Sequence, residues 1–106
     1  MPTNFLIIYC TCPNKDVSEK IATIVIEKEL AACANIVPNI TSIYRWQGKV
    51  ITDQEHLLLI KTDQTHYPDI EDIILTNHPY DVPEIIASSV QQGHPDYLNW
   101  IHSCLS

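Results

Sequence analysis

The sequence predicts an α+β domain with a βαββαβ core and one extra helix at the C-terminal end. Three observations carry the prediction. FLIIYCTC and LLLI are apolar and β-branched enough to be central strands of a sheet. Two other segments repeat apolar residues at helical spacing. Between the two helical segments, Gln47-Gly48 sits as a two-residue turn joining two long strand-like stretches. A chain of 106 residues with 45% apolar composition suits a single domain spanning residues 1–106.

The elements follow in order. The first strand is Phe5–Cys12, ended by Pro13. Its lack of alternation predicts burial on both faces. Asn14 is the N-cap of the first helix, and Asp16 and Glu19 follow where the helix dipole favours anions. Val17, Ile21, Ile24 and Val25 mark its apolar stripe, and the pattern carries the helix to about residue 32. Residues 36–37 and 40–46 then read as a strand interrupted at Pro38. Gly48 supplies a positive φ in the turn, and Lys49–Asp63 returns as the partner strand, its LLLI centre doubly buried. A second helix covers 65–77, with Pro68 in its first turn and Tyr67, Ile70, Ile73 and Ile74 facing inward. His78-Pro79 stops it, 83–91 is the fourth strand, and Gly93-His94-Pro95 opens a short last helix. This order is that of a ferredoxin-like split-βαβ sandwich, with both main helices on one face of the sheet. Tyr44 and Trp46 on the hairpin are too much apolar surface to leave wet, so the uncovered face is expected to meet another copy of the chain.

Charge narrows the function. Thirteen acidic residues against six basic ones give a net charge of −7, and the six cations are dispersed. Nucleic acid is excluded as a partner, because phosphate binding needs clustered Lys and Arg. No apolar run approaches the roughly 20 residues needed to span a bilayer. MPTNFLIIYC lacks the basic region and long apolar stretch of a secretory leader, so a cytosolic, membrane-free setting is expected. There the four cysteines are expected as free thiols or metal ligands.

Several stretches carry a resemblance. ELAACANIVPNITSIYRWQGKV at 29–50, LLLIKT at 57–62, HPYDVPEI at 78–85 and HPDYLNWI at 94–101 are similar to the signature segments of the CutA divalent-cation tolerance family. The resemblance implies a tightly packed homotrimer of ferredoxin-like subunits, similar to the PII signalling proteins. It also implies a cytosolic role in divalent-cation tolerance, without catalysis, and copper as the metal most often linked to that role.

The stretch YCTCP, residues 9–13, poses the question of chemistry. On one strand Cys10 and Cys12 share a face, about 7 Å apart by strand geometry, too far for an undistorted disulfide. One reading packs both as small hydrophobes at the end of a core strand. The other makes them metal ligands. The resemblance matches Cys10 to a cysteine that binds copper in some bacterial relatives, and His78 to the second of two histidines there. Asn77 stands where the first would be. One thiol and one imidazole suit a soft ion such as Cu(I) or Zn(II), and Cys12 is the candidate replacement ligand. The metal set is therefore Cys10, Cys12 and His78.

The resemblance also places counterparts of Lys61, Tyr80 and Glu84 in a cleft between subunits. Cys33, expected at the end of the first helix, is either a packed small residue or a thiol activated by Lys61. Cys33, Lys61, Tyr80 and Glu84 together are a candidate acid–base constellation. Tyr44 and Trp46 are interface candidates. Two functions follow: a trimeric metal-binding tolerance protein, or a PII-like trimeric signalling or scaffold protein whose intersubunit cleft takes a small anionic ligand. A thiol enzyme built on Cys33 is a third and weaker reading, since no histidine base can be assigned to it.

Overall fold

The computed structural model describes residues 4–106. The element order is β1 (Phe5–Cys12), α1 (Lys15–Glu27), β2 (Cys33–Trp46), β3 (Lys49–Asp63), α2 (Tyr67–Asn77), β4 (Ile86–Ser89) and α3 (Pro95–Cys104). The sheet runs β2-β3-β1-β4 with every neighbouring pair antiparallel. This is the ferredoxin-like order. β1 and β3 occupy the centre, as their apolar content requires.

The core lies between the sheet and α1 and α2. Ile8, Cys10, Cys12, Leu58 and Ile60 from the strands meet Ile21 and Val25 of α1 and Ile70 and Ile74 of α2, all fully buried. Burying each such aliphatic side chain is worth about 1.5–3 kcal/mol. The expectation that β1 and LLLI are buried on both faces holds for the helix-covered face only. On the other face Ile7, Tyr9, Leu57 and Leu59 are half-buried.

α1 ends five residues before the expected position. Leu30 N–H donates to the Val25 carbonyl and Glu29 N–H to the Ile26 carbonyl, each at 3.0 Å. Glu29 takes φ 57°. This is a Schellman stop in which a glutamate holds the left-handed position usually given to glycine, so no residue type announced it. Leu30 and Val25 then pack together in the core. Cys33 consequently opens β2 rather than closing the helix, because Ala32 N–H is already bonded to the Lys61 carbonyl at 3.0 Å.

β2 is one strand with its register shifted between Val37 and Ile40. Pro38 is tolerated there because β2 is an edge strand, and Asn39 takes φ 57°. At the hairpin tip Gln47 and Gly48 both have positive φ, 49° and 78°, the signature of a type I′ turn. β4 is four residues long, not nine: only Ile86–Ser89 pairs with β1, and Pro83 lies in the preceding loop. α2 starts at Tyr67, with His66 as its N-cap.

His66 is a structural residue. Its Nδ1 lies 2.5 Å from Asp63 Oδ1 and its Nε2 lies 2.8 Å from the Ser106 carbonyl. It therefore ties the end of β3 to the segment after α3. Burial lowers its pKa, but the bonds to Asp63 and Ser106 outweigh burial and leave it raised. The Asp63/His66 spacing of three residues was the available signal.

Candidate metal centre and the adjoining groove

Strand alternation puts Cys10 and Cys12 on the helix-covered face of β1, opposite Leu58 and His56 of β3. Both are completely buried. Their Sγ atoms are 4.0 Å apart, much closer than ideal strand spacing, because β1 ends at Cys12 and the side chains turn toward each other. The hydrogen bond with Cys12, and then burial, push the Cys10 pKa up; the same bond lowers that of Cys12.

His78 completes the group. Its position is set by the end of α2: His78 N–H donates to the Ile74 carbonyl at 2.9 Å, and the chain leaves the helix in an extended conformation before Pro79. One ring nitrogen of His78 and the two Sγ atoms all lie within 4.8 Å of one another. Asn77 points away, its Nδ2 donating to the Ile73 carbonyl at 2.8 Å. Cys12, not Asn77, therefore stands beside Cys10 and His78.

The donor set fits a soft, thiophilic ion. Ligand bonds of about 2.3 Å from sulfur place two thiolates about 3.8–4.0 Å apart in tetrahedral or trigonal coordination. The observed 4.0 Å falls in that range. Two sulfurs and an imidazole are the donors that select Cu(I) or Zn(II) over oxygen-loving ions.

The imidazole is nevertheless occupied. His78 Nε2 lies 2.8 Å from the Thr11 carbonyl, and Tyr80 N–H donates to Nδ1 at 3.2 Å. Because Thr11 can only accept there, Nε2 carries the proton and Nδ1 offers the lone pair. A metal bound through this ring would displace the hydrogen bond of the nitrogen that takes it.

Next to this centre lies a groove of about 540 Å³, with Thr11 and Tyr80 common to both regions. Its walls include Tyr44 and Trp46 of β2, Glu55 of β3, and Tyr80 and Glu84 of the loop before β4. The His78 and Tyr80 rings are 4.6 Å apart. Tyr80 donates to Glu55 Oε2 at 2.9 Å, and burial followed by this bond raises its pKa. Tyr44 likewise donates to Asp53, which raises its own.

The four residues assigned to a cleft are split within one chain. Tyr80 and Glu84 line the groove. Cys33 and Lys61 pair across β2 and β3 on the uncovered face, where Lys61 Nζ donates to Asn35 Oδ1 at 2.7 Å and Cys33 Sγ lies 3.8 Å from the same oxygen. Lys61 is six residues from Glu55 on β3, about 20 Å along the strand. Glu55 had gone unnoticed in the sequence. It sits in the polar run TDQEH at 52–56, so nothing in the sequence marks it out.

Comparison with known proteins agrees with this architecture. The family model for the CutA1 divalent ion tolerance protein matches residues 6–104. A divalent-cation tolerance protein CutA from Thermus thermophilus is 46% identical over 90% of this chain and 92% of its own length. The mouse protein CutA is also 46% identical, over 96% of this chain. The chain spans about 58% of that mouse relative's length and 56% of the human one's. Among solved structures, CutA1 from Oryza sativa superposes with a TM-score of 0.95 at 41% identity, covering 99% of this chain and 96% of that one. The Thermus thermophilus protein superposes with a TM-score of 0.93 at 43% identity, covering 96% and 99%. With the match running through β1, the hairpin and the His78 loop to α3, the chain belongs to the CutA1 divalent ion tolerance protein family.

Proposed function

We propose that this chain acts in metal-ion tolerance by holding copper, as Cu(I), or a similar thiophilic ion on Cys10, Cys12 and His78. The observation that carries this reading is the convergence of two thiols and one imidazole within 4.8 Å of one another. The thiols bind as thiolates, so loading releases protons. Both sulfurs are fully buried, which slows exchange and suits retention of an ion rather than turnover of a substrate. We assign no catalysis.

The working form we propose is a homotrimer in the cytosol, whose reducing conditions keep the four free cysteines as thiols. Ile43 and Val50, each 68% exposed, and Trp46, 49% exposed, form an apolar hairpin surface of the kind subunit interfaces use. Among the described residues no helix is long and apolar enough to cross a membrane.

The alternative is a PII-like signalling or scaffold trimer with a ligand in the intersubunit cleft. The separation of Lys61 from Tyr80 and Glu84 means that a neighbouring copy has to supply one half of such a cleft. Within one chain Glu55, Asp81 and Glu84 line the groove and, among the described residues, no Lys, Arg or His does, so an anionic ligand there would depend on the lysine that a neighbouring copy brings.

The test is a titration of reduced protein with Cu(I) and Cu(II) against a competing chelator. About one Cu(I) per chain is expected, lost in Cys10→Ser and Cys12→Ser. Unchanged binding in both variants would make YCTCP the buried end of a core strand and nothing more.

A further inference from the structure

A second imidazole stands directly across the sheet from the thiol pair. In the antiparallel pairing of β1 with β3, Cys10 faces Leu58 and Cys12 faces His56. Cross-strand partners project from the same face, with Cβ atoms about 4.5–5.5 Å apart. Cys10, Cys12 and Leu58 are completely buried in the core, so this is the face under the helices. Alternation puts His56 on it, and Glu55 and Leu57 on the other. His56 is half-buried. The rings of His66 and His78 each make two hydrogen bonds, whereas the ring of His56 makes none among the described residues.

In this structure His56 stays outside the group of two sulfurs and one imidazole that lie within 4.8 Å of one another. Its own side-chain torsions close the gap. Bonds of about 2.3 Å from sulfur to metal and 2.0–2.1 Å from nitrogen to metal bridge side chains at cross-strand spacing. Turning the ring breaks no hydrogen bond, so the movement costs little.

The chemistry of the centre says what a fourth ligand does. Cu(I) is satisfied by two or three soft donors. Zn(II) in a closed protein site takes four, arranged as a tetrahedron of thiolates and imidazoles. Both sulfurs are out of contact with water, where a net charge is costly. Two thiolates cancel the charge of Zn(II), so the fourth donor has to be neutral. An imidazole meets that condition and a carboxylate does not.

We propose that His56 is the fourth ligand of the thiol–imidazole centre and makes it a closed tetrahedral site for Zn(II). This rests on the reading of Cys10, Cys12 and His78 as metal ligands and adds the residue that sets the coordination number. The donors then come from the end of β1, from β3 and from the end of α2.

The test uses the full-length reduced chain with Zn(II) and Cu(I) as separate probes, each titrated against a competing chelator, on wild type, His56→Leu and Cys10→Ser. Long-range proton–nitrogen NMR correlations of the histidine rings accompany the Zn(II) titration of wild type. One ring nitrogen of His56 and one of His78 are expected to shift together at one Zn(II) per chain. His56→Leu is expected to weaken Zn(II) binding about tenfold or more, at least the loss seen for outer-shell partners, and to leave Cu(I) binding unchanged. Should His56→Leu fold poorly, the wild-type spectrum decides alone. An unshifted His56 ring, or Zn(II) held as tightly by His56→Leu as by wild type while Cys10→Ser loses it, overturns the fourth ligand and leaves the three-residue centre standing. Equal weakening of Cu(I) in His56→Leu overturns it too, by making His56 a packing residue. Unchanged binding of both ions by Cys10→Ser overturns the metal reading itself, and this proposal with it.

Discussion

His78→Ala separates two roles that one imidazole has been given. In the apoprotein the ring is a clamp: it donates to the Thr11 carbonyl at 2.8 Å and accepts from Tyr80 N–H at 3.2 Å. These bonds fasten the loop after α2 to the end of β1. Alanine takes the imidazole from two backbone groups at a site only 8% exposed, leaving the Thr11 carbonyl with only the weak Cys10 Sγ donor at 3.8 Å. An orphaned buried group costs about 1–3 kcal/mol, and a vacated imidazole leaves room for a water that recovers part of it. Loss of the ring contact with Tyr80 at 4.6 Å adds about 0.5–1 kcal/mol. The expected destabilisation of apoprotein is therefore about 2–4 kcal/mol. Urea unfolding at fixed chain concentration measures it as a shifted midpoint with unchanged slope. A loss below about 0.5 kcal/mol, the range of an ordinary surface substitution, would refute the clamp and leave the imidazole free for the metal from the start.

Three further outcomes follow from the same geometry. Glu29→Gly is expected to stabilise the protein by up to about 1 kcal/mol by relieving the left-handed position at the end of α1, and Gly48→Ala to destabilise it by about 1 kcal/mol, both read by denaturant midpoint. No atom lies within 4 Å of a Cβ built on Gly48, so that loss is conformational and not steric. The raised pKa of His66 means that its bonds to Asp63 and Ser106 contribute fully below the unfolded value of about 6.5 and fade as pH rises through the higher folded value. The stability advantage of wild type over His66→Gln should therefore shrink from near pH 6.5 upward, and a pH-independent difference would contradict the assignment. Val50→Asp, at a position 68% exposed, should leave the fold intact and lower the sedimenting mass at micromolar concentration, whereas an unchanged mass would remove the hairpin from the interface.

The sequence by itself determined β1, β3 and the hairpin turn, because apolar runs bounded by Pro13 and by Gln47-Gly48 admit few other structures. It also determined the sheet's central pair and the family, through segments spread over nearly the whole chain. It misplaced the end of α1, since ELAA has high helix propensity and a glutamate took the glycine position for the sake of burying Leu30. It overextended β4, because extended backbone in 83–91 reads alike whether or not it has a partner strand. Cys10 and Cys12 were legible as a pair on one face, and His78 was drawn in only by resemblance. What the tertiary structure decided was their meeting: the end of α2 sets His78 against Thr11, and Asn77 turns back onto its own helix. It likewise decided that Tyr80 and Glu84 share a groove with Glu55 while Cys33 and Lys61 lie far along the sheet. Spacing along a chain fixes which face a side chain takes; only packing of distant segments fixes which side chains share a space.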